Sequence, residues 1–547
     1  MFFKNAIHFL LLLALTFFTF ACDSSTEKAE STAPEVKAEI SEALPLTTTV
    51  EVTGGTIEGV EQDGILTYKG IPFAAPPVGN LRWKAPQPAE AWTGVKSADT
   101  YACGCMQDAS MAAMTGAPAN FGEDCLYLNI WTGAKNVDEK RPVMVWIHGG
   151  AFVGGMTGTP MFDGTKFAQK GVVLVSIAYR LGVFGFLAHP ELSSESGRGS
   201  GTYGLQDMIA GLKWVKDNIG RFEGDPSRVT IFGESAGGIA VGMLSAAPPA
   251  KGLFQRSISE SGGSFAPPRI KEGEAGMNVP SLKLAESDGE NFLKKLGVDN
   301  IKAARALLAE QIQKATGGGM GRGASFWPVA DGYVIPGDPY VLYEKGQFND
   351  TPILAGTNSN EGGLFTRGPV TPEQFEQQIR SGYGERADVI LEAYPHATDA
   401  EAARASADVF REFAFAWPTW SWARLQSRMG KGKAFVYYYD HRTPRSPDGA
   451  NHADEVSYVF GNFGGMGGEP RPEDLALSEM IQAYWIHFAD KGDPNGPDLP
   501  AWPTFTEDDQ KVLYFDNTAS AKPIPNLDKL KAFDEYYKWR REQAGEN

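Results

Sequence analysis

Three short apolar runs, each closed by turn residues, decide what this chain can fold into. They are Val143-Met144-Val145-Trp146-Ile147, ending in His148-Gly149-Gly150; Val172-Val173-Leu174-Val175-Ser176-Ile177; and Val229-Thr230-Ile231-Phe232, followed at once by Gly233. Such runs lack the period-two alternation of a strand wetted on one face, so they read as central strands covered on both faces. Between the second and third, Leu205, Met208, Ile209, Leu212, Trp214, Val215 and Ile219 recur at near-helical spacing, which predicts a crossover helix over residues 204–219. Strands alternating with helices give an α/β class: a large, mostly parallel central sheet flanked by helices. No repeat of 20 to 50 residues breaks the text and no linker divides it after Thr47, so residues 48–547 read as one catalytic domain. A hydrophobic content of 42% with 12 tryptophans can fill its core.

The 67 acidic residues against 50 basic give a formal charge of −17, which repels nucleic-acid phosphates and excludes a nucleic-acid partner. Lys4, an apolar run over residues 6–20 and Ala21-Cys22 have the charged, apolar and small-residue parts of an export signal over residues 1–21. The product is expected in the periplasm or outside the cell. Cys22 stands where a lipoprotein cysteine is acylated, so a membrane tether through a lipidated Cys22 is expected, followed by a disordered Ser/Thr/Glu-rich spacer over residues 22–47. No later stretch is long and apolar enough to span a bilayer. An exported setting permits a disulfide. A Cys103–Cys105 bridge would close a very tight loop, whereas Cys105–Cys125 closes about twenty residues, worth roughly 3 kcal/mol. The second is favoured.

Gly233-Glu234-Ser235-Ala236-Gly237 lies directly between a strand and the helix-like residues 239–244. A serine on such a turn points its hydroxyl out of the sheet, and flanking glycines leave room for strained backbone, so Ser235 reads as a nucleophile. The intermediate of acyl transfer carries an oxyanion, which needs N–H donors already aimed at it. Gly149, Gly150 and Ala151, after the first strand, and Ala236, after the nucleophile, are the candidate donors. The serine needs a histidine to take its proton and a carboxylate to hold that histidine. Of seven histidines, His396, His441, His452 and His487 remain once the signal (His8), the oxyanion loop (His148) and His189, ahead of the nucleophile, are set aside. His452, in a polar loop before a strand- or helix-like segment, leads. For the acid, Glu361 leads because it follows the strand-like residues 351–355, while Asp331, Asp454 and Glu455 compete.

These residues resemble the type B carboxylesterases, the cholinesterase-like branch of the α/β hydrolases, in a form similar to bacterial para-nitrobenzyl esterases. The resemblance rests on Glu123-Asp124-Cys125-Leu126-Tyr127-Leu128-Asn129, Tyr179-Arg180-Leu181-Gly182, Gly204-Leu205-Gln206-Asp207 and the segment around Ser235. It implies the α/β-hydrolase fold, with inserted loops and helices forming a lid over an active-site gorge. It implies Ser235, Glu361 and His452 as the triad, oxyanion donors at Gly150 and Ala151, and the Cys105–Cys125 bridge. It also implies a buried serine, Ser261, behind the triad, where Glu234, beside the nucleophile, is expected to act in support. Ala151 replaces the family's third glycine, which should narrow the space for bulky alcohols. No metal or organic cofactor is implied. The expected activity is hydrolysis of a small or aromatic carboxylic ester through an acyl-enzyme, by a chain read as a monomer. The alternative is a specialised hydrolase of a polyester, plasticiser diester, carbamate or multiply esterified toxin. A more distant alternative is a non-catalytic binding module of the same fold. Residues 316–328 and Phe413-Ala414-Phe415-Ala416-Trp417 are candidate gorge or lid segments, with ordinary packing as the rival reading.

Overall fold

The three apolar runs become neighbouring strands of one sheet. The structure is a computed structural model that describes residues 46–110, 120–271, 274, 277–317, 326–366, 368–464 and 469–545. The expected export signal, Cys22, nearly all of the spacer and the glycine-rich residues 318–325 lie outside the described residues. Those described from residue 46 onward belong to one unit, Leu44–Asn547.

The sheet has eleven strands: β1 (Val60–Gln62), β2 (Ile65–Pro72), β3 (Tyr127–Thr132), β4 (Arg141–Ile147), β5 (Val173–Ile177), β6 (Gly224–Glu234), β7 (Arg256–Glu260), β8 (Ile353–Asn358), β9 (Ala434–Tyr439), β10 (Lys511–Phe515) and β11 (Ala519–Pro523). Their spatial order is 11-10-9-8-7-6-4-5-3-2-1. Strands β4 to β10 pair in parallel, and antiparallel strands finish both edges. From β4 the chain steps to β5 on one side, then returns through helix α1 (Tyr203–Asn218) to β6 on the other. That reversal opens a crevice at the carboxyl ends of β4 and β6, where open α/β sheets bind their ligands.

Side chains along these strands alternate between two cores. Val143, Val145, Ile147, Val175, Val229 and Ile231 enter one, while Met144, Trp146, Leu174 and Phe232 enter the other. Each is fully buried, which is why the runs carry almost no polar residue. Helix α2 (Ala236–Ser245) follows Ser235 as expected. Strand β8 starts later than the sequence suggested and runs through Asn358, so the loop carrying Glu361 is short. The segment Val456–Phe460, open between strand and helix, is helical and ends on a left-handed Gly461.

Chain inserted between β8 and β9 supplies helix α3 (Asp399–Arg411), a π-helical turn (Glu412–Ala416) and helix α4 (Trp417–Met429). No helix among the described residues is long and apolar enough to cross a membrane. Cys105 and Cys125 form a disulfide, with Cys103 free. The buried Gln107 amide links the bridged loop to the loop after β4: its Nε2 donates to Gly155 O at 2.8 Å and its Oε1 accepts from Gly155 N at 3.0 Å.

Candidate active site

Strand β6 ends at Glu234 and α2 begins at Ala236, which leaves Ser235 alone on the turn at φ 54° and ψ −123°. A non-glycine residue held there stores about 1–3 kcal/mol of strain, maintained only by its surroundings. Here Ser235 N–H donates to Glu260 O at 2.9 Å and Ser235 O accepts from Ile239 N–H at 2.8 Å. A Cβ on Gly237 would stand 2.0 Å from Ile147 O, and one on Gly233 2.5 Å from the same atom. The two glycines of the pentapeptide therefore serve the close approach to β4.

Around that serine the fold collects side chains from the ends of β6 and β8 and from the loop after β9. His452 Nε2 is 2.8 Å from Ser235 Oγ, and its Nδ1 is 2.6 Å from Glu361 Oε2. The other Glu361 oxygen accepts from Ser261 Oγ at 2.6 Å and from Asn358 N–H at 2.7 Å. Glu361 is fully buried. Two donors thus occupy Oε1, which leaves Oε2 to accept from the imidazole. That selects the tautomer in which Nε2 is free to take the serine proton.

Gly149, Gly150 and Ala151 pass in front of this serine. A Cβ on Gly149 would lie 3.1 Å from Ser235 Cβ and 2.8 Å from Glu234 O. Gly150 has φ 107°, and Ala151 and Phe152 also adopt left-handed backbone at 53° and 57°. Val153 and Gly154 N–H both donate to Gly150 O at 3.0 Å, which closes the loop on itself. Among the described residues no protein acceptor takes the N–H of Gly150, Ala151 or Ala236. Three donors thus stand free beside Ser235, one of them at the N-terminus of α2, where the helix dipole favours negative charge.

Glu234 does more than sit beside the nucleophile: its Oε1 lies 3.1 Å from His452 Nε2. Burial pulls the imidazole down, but the carboxylates of Glu234 and Glu361, one on each nitrogen, outweigh it and raise His452 above the ordinary imidazole range. Burial also raises Glu234 above the usual carboxylate range. An imidazole acting as base must be neutral, so if His452 is the base, activity is lost as pH falls through its pKa. Glu234→Gln removes one of the two charges, and the acid limb of kcat/KM is expected to move down by about one unit; a pH–rate profile reads it directly.

Two further buried carboxylates stand behind. Glu455 accepts from Asn358 Nδ2, and Glu260 accepts from Trp485 Nε1 at 2.8 Å. Burial pushes Glu260 up to about 8. The folded protein therefore keeps a proton that the unfolded chain releases above about 4.3, and stability falls as pH rises from there toward 8. Glu260→Gln keeps the acceptor for Trp485 and is expected to raise stability by on the order of 3 kcal/mol at pH 8, with no gain near pH 4. Melting temperatures at the two pH values check this.

The rival residues are engaged elsewhere. His441 pairs with Asp474 at 2.7 Å, His396 contacts Tyr394 O and Glu376, and His487 packs on Gly496. Asp331 accepts from three successive N–H groups, Tyr333 to Ile335, and Asp454 from Ser446 and Asn451. Of the candidate gorge segments, Phe326 packs on Phe292 and Trp417 on Tyr537, both ordinary core contacts. Phe415, however, lies against the His452 ring, as does Phe365, which no motif or spacing marks.

The Carboxylesterase family model matches residues 46–533. The chain is 38% identical over 472 residues to the fumonisin B1 esterase of Sphingopyxis macrogoltabida, covering 82% of this chain and 83% of that one. It is 35% identical over 498 residues to the para-nitrobenzyl esterase of Bacillus subtilis (strain 168), covering 87% and 96%. A solved thermophilic PNB esterase superposes with a TM-score of 0.78 at 32% identity, covering 89% of this chain and all of that one. Given its α/β-hydrolase architecture and likenesses that cover 82–89% of its length, the chain belongs to the carboxylesterase family and is an ester-hydrolysing enzyme.

Proposed function

We propose that this esterase works by two-step acyl transfer, with Ser235 as nucleophile, His452 as base and then acid, and Glu361 orienting the imidazole. The observation that carries the reading is the unbroken relay from Glu361 Oε2 through His452 to Ser235 Oγ, at 2.6 and 2.8 Å. Ser235 Oγ bonds to the ester carbon as its proton passes to His452 Nε2. The carbonyl oxygen takes the electron pair and is held by the N–H groups of Gly150, Ala151 and Ala236. Collapse of the intermediate expels the alcohol, which receives the proton, and water repeats the sequence to free the acid. Added methanol tests for the shared acyl-enzyme. The ratio of methyl ester to free acid should be the same for every leaving alcohol on one acyl group; a ratio that varies with the alcohol contradicts the intermediate.

The proposed substrates are small or aromatic carboxylic esters, because Phe365, Phe410 and Phe415 form an aromatic wall beside His452. A multiply esterified toxin is the second reading; a relative named for one particular ester, the fumonisin B1 esterase, is among the similar proteins. Rates over a panel of aryl monoesters and polyesters of one polyol separate the two.

The proposal extends to the cell envelope: residues 1–21 direct export, Cys22 carries a lipid and residues 22–47 form the spacer to a monomeric enzyme. The Cys105–Cys125 disulfide supports an oxidising compartment. Cys22→Ser should move the enzyme from the membrane to the soluble fraction.

A further inference from the structure

Phe415 lies on the π-helical turn Glu412–Ala416, between α3 and α4. Such turns are rare and gather at functional sites, because the wider coil costs hydrogen-bond geometry and reorients what it carries. Phe415 is fully buried, and its ring is stacked on the His452 imidazole at 4.6 Å between centroids and 16° between planes. Phe365 meets the same imidazole edge-on at 5.2 Å. Phe413, on the same turn, meets the ring of Phe410, so the face-to-face contact with a titrating imidazole sets Phe415 apart.

The turn is also tied to the loops of the acid and the base. Arg411, buried where α3 meets the turn, pairs with Glu412 and donates from Nη1 to Ser359 O at 2.8 Å. Ser359 lies two residues before Glu361, and its Oγ accepts from Ala450 N–H, two residues before His452, at 2.9 Å. One guanidinium therefore fixes the height of Phe415 relative to both loops.

We propose that Phe415 is a positioning residue for acyl transfer. Its ring holds the imidazole plane between Ser235 and Glu361, and its π face stabilises the imidazolium formed when His452 Nε2 takes the Ser235 proton and Oγ bonds to the ester carbon. The positive charge appears under a desolvated aromatic face, where a cation–π contact is strongest. The inference rests on the assignment of His452 as base. The groups that face His452 are Glu361 on Nδ1, Glu234 on Nε2 and Asp454 nearby. Arg411 and Glu412, on the element that carries Phe415, are engaged with each other and with Ser359, Asp408 and Tyr394. Changing only the electron density of the Phe415 ring therefore leaves the charges around the imidazole in place.

The test replaces Phe415 in the full-length enzyme with phenylalanines carrying one to five ring fluorines, which retain shape while draining the π face. The acid limb of kcat/KM is expected to fall stepwise with fluorination, by about half a unit to one unit at the pentafluoro ring. kcat should fall with it while KM and melting temperature stay near parental values. Phe415→Tyr should retain the parental profile, and Phe415→Leu should lose most of kcat. An acid limb that stays fixed across the fluorinated series, or parental kcat in Phe415→Leu, overturns the proposal and leaves Phe415 as core packing. His452→Ala run alongside tests the underlying assignment separately. Its inactivity upholds His452 as base whatever the series shows, whereas retained activity removes both readings.

Discussion

Ser235→Ala is expected to lower kcat for ester hydrolysis about 10⁶-fold, the loss seen when the nucleophile of a working triad is removed. Nothing else at the site can replace it. Ser261 Oγ is already committed to Glu361, and Cys103 stands apart on the loop beside the disulfide, bonded to Asp124 O. The substitution removes one oxygen and leaves the strained backbone where it was, since φ 54° is as costly for alanine as for serine. The melting temperature should therefore stay close to parental, and the free oxyanion donors should still bind substrate. An initial-rate assay on purified, folded variant measures the loss.

Glu361→Gln should cost about 10⁴-fold in kcat with KM little changed, although the amide is nearly the same shape. The reason lies in the partners of Oε1. Ser261 Oγ and Asn358 N–H both donate to that oxygen, so glutamine must place its carbonyl there and turn its NH₂ toward His452 Nδ1. An NH₂ cannot accept, so the imidazole keeps Nδ1 as its acceptor and carries its proton on Nε2, facing Ser235. In that tautomer it cannot take the serine proton. Paired measurement of kcat and KM distinguishes this from a folding defect, which would lower active-site titre instead.

How far these residues could be read from sequence follows from the distance over which each acts. The turn that carries Ser235 and the free N–H groups beside it were legible because strand, turn and helix around Ser235 are contiguous, as are β4 and the glycines after it. The proposed acid and base were not fixed by local chemistry: His452 meets Glu361 across 91 positions and Ser235 across 217. Local context put His452 and Glu361 first but left His396, His441, His487, Asp331, Asp454 and Glu455 open, and the family resemblance separated them. The role of Glu234 toward Nε2 depends on where β6 ends relative to His452, which no spacing encodes. Phe415 was visible only as one ring in an aromatic cluster. The π turn that aims it at the imidazole breaks the helical periodicity by which a buried face is recognised. Glu260 and Glu455 carry no sequence signal of burial, since a carboxylate is ordinarily exposed.

The assignment of Ser235 as the nucleophile is tested most directly by mass spectrometry of the enzyme after reaction with a fluorophosphonate probe, which bonds to an activated serine. A single adduct on the peptide containing Ser235, absent in His452→Ala, is the predicted result. An adduct on any other residue, or none on folded protein that still hydrolyses esters, would contradict it.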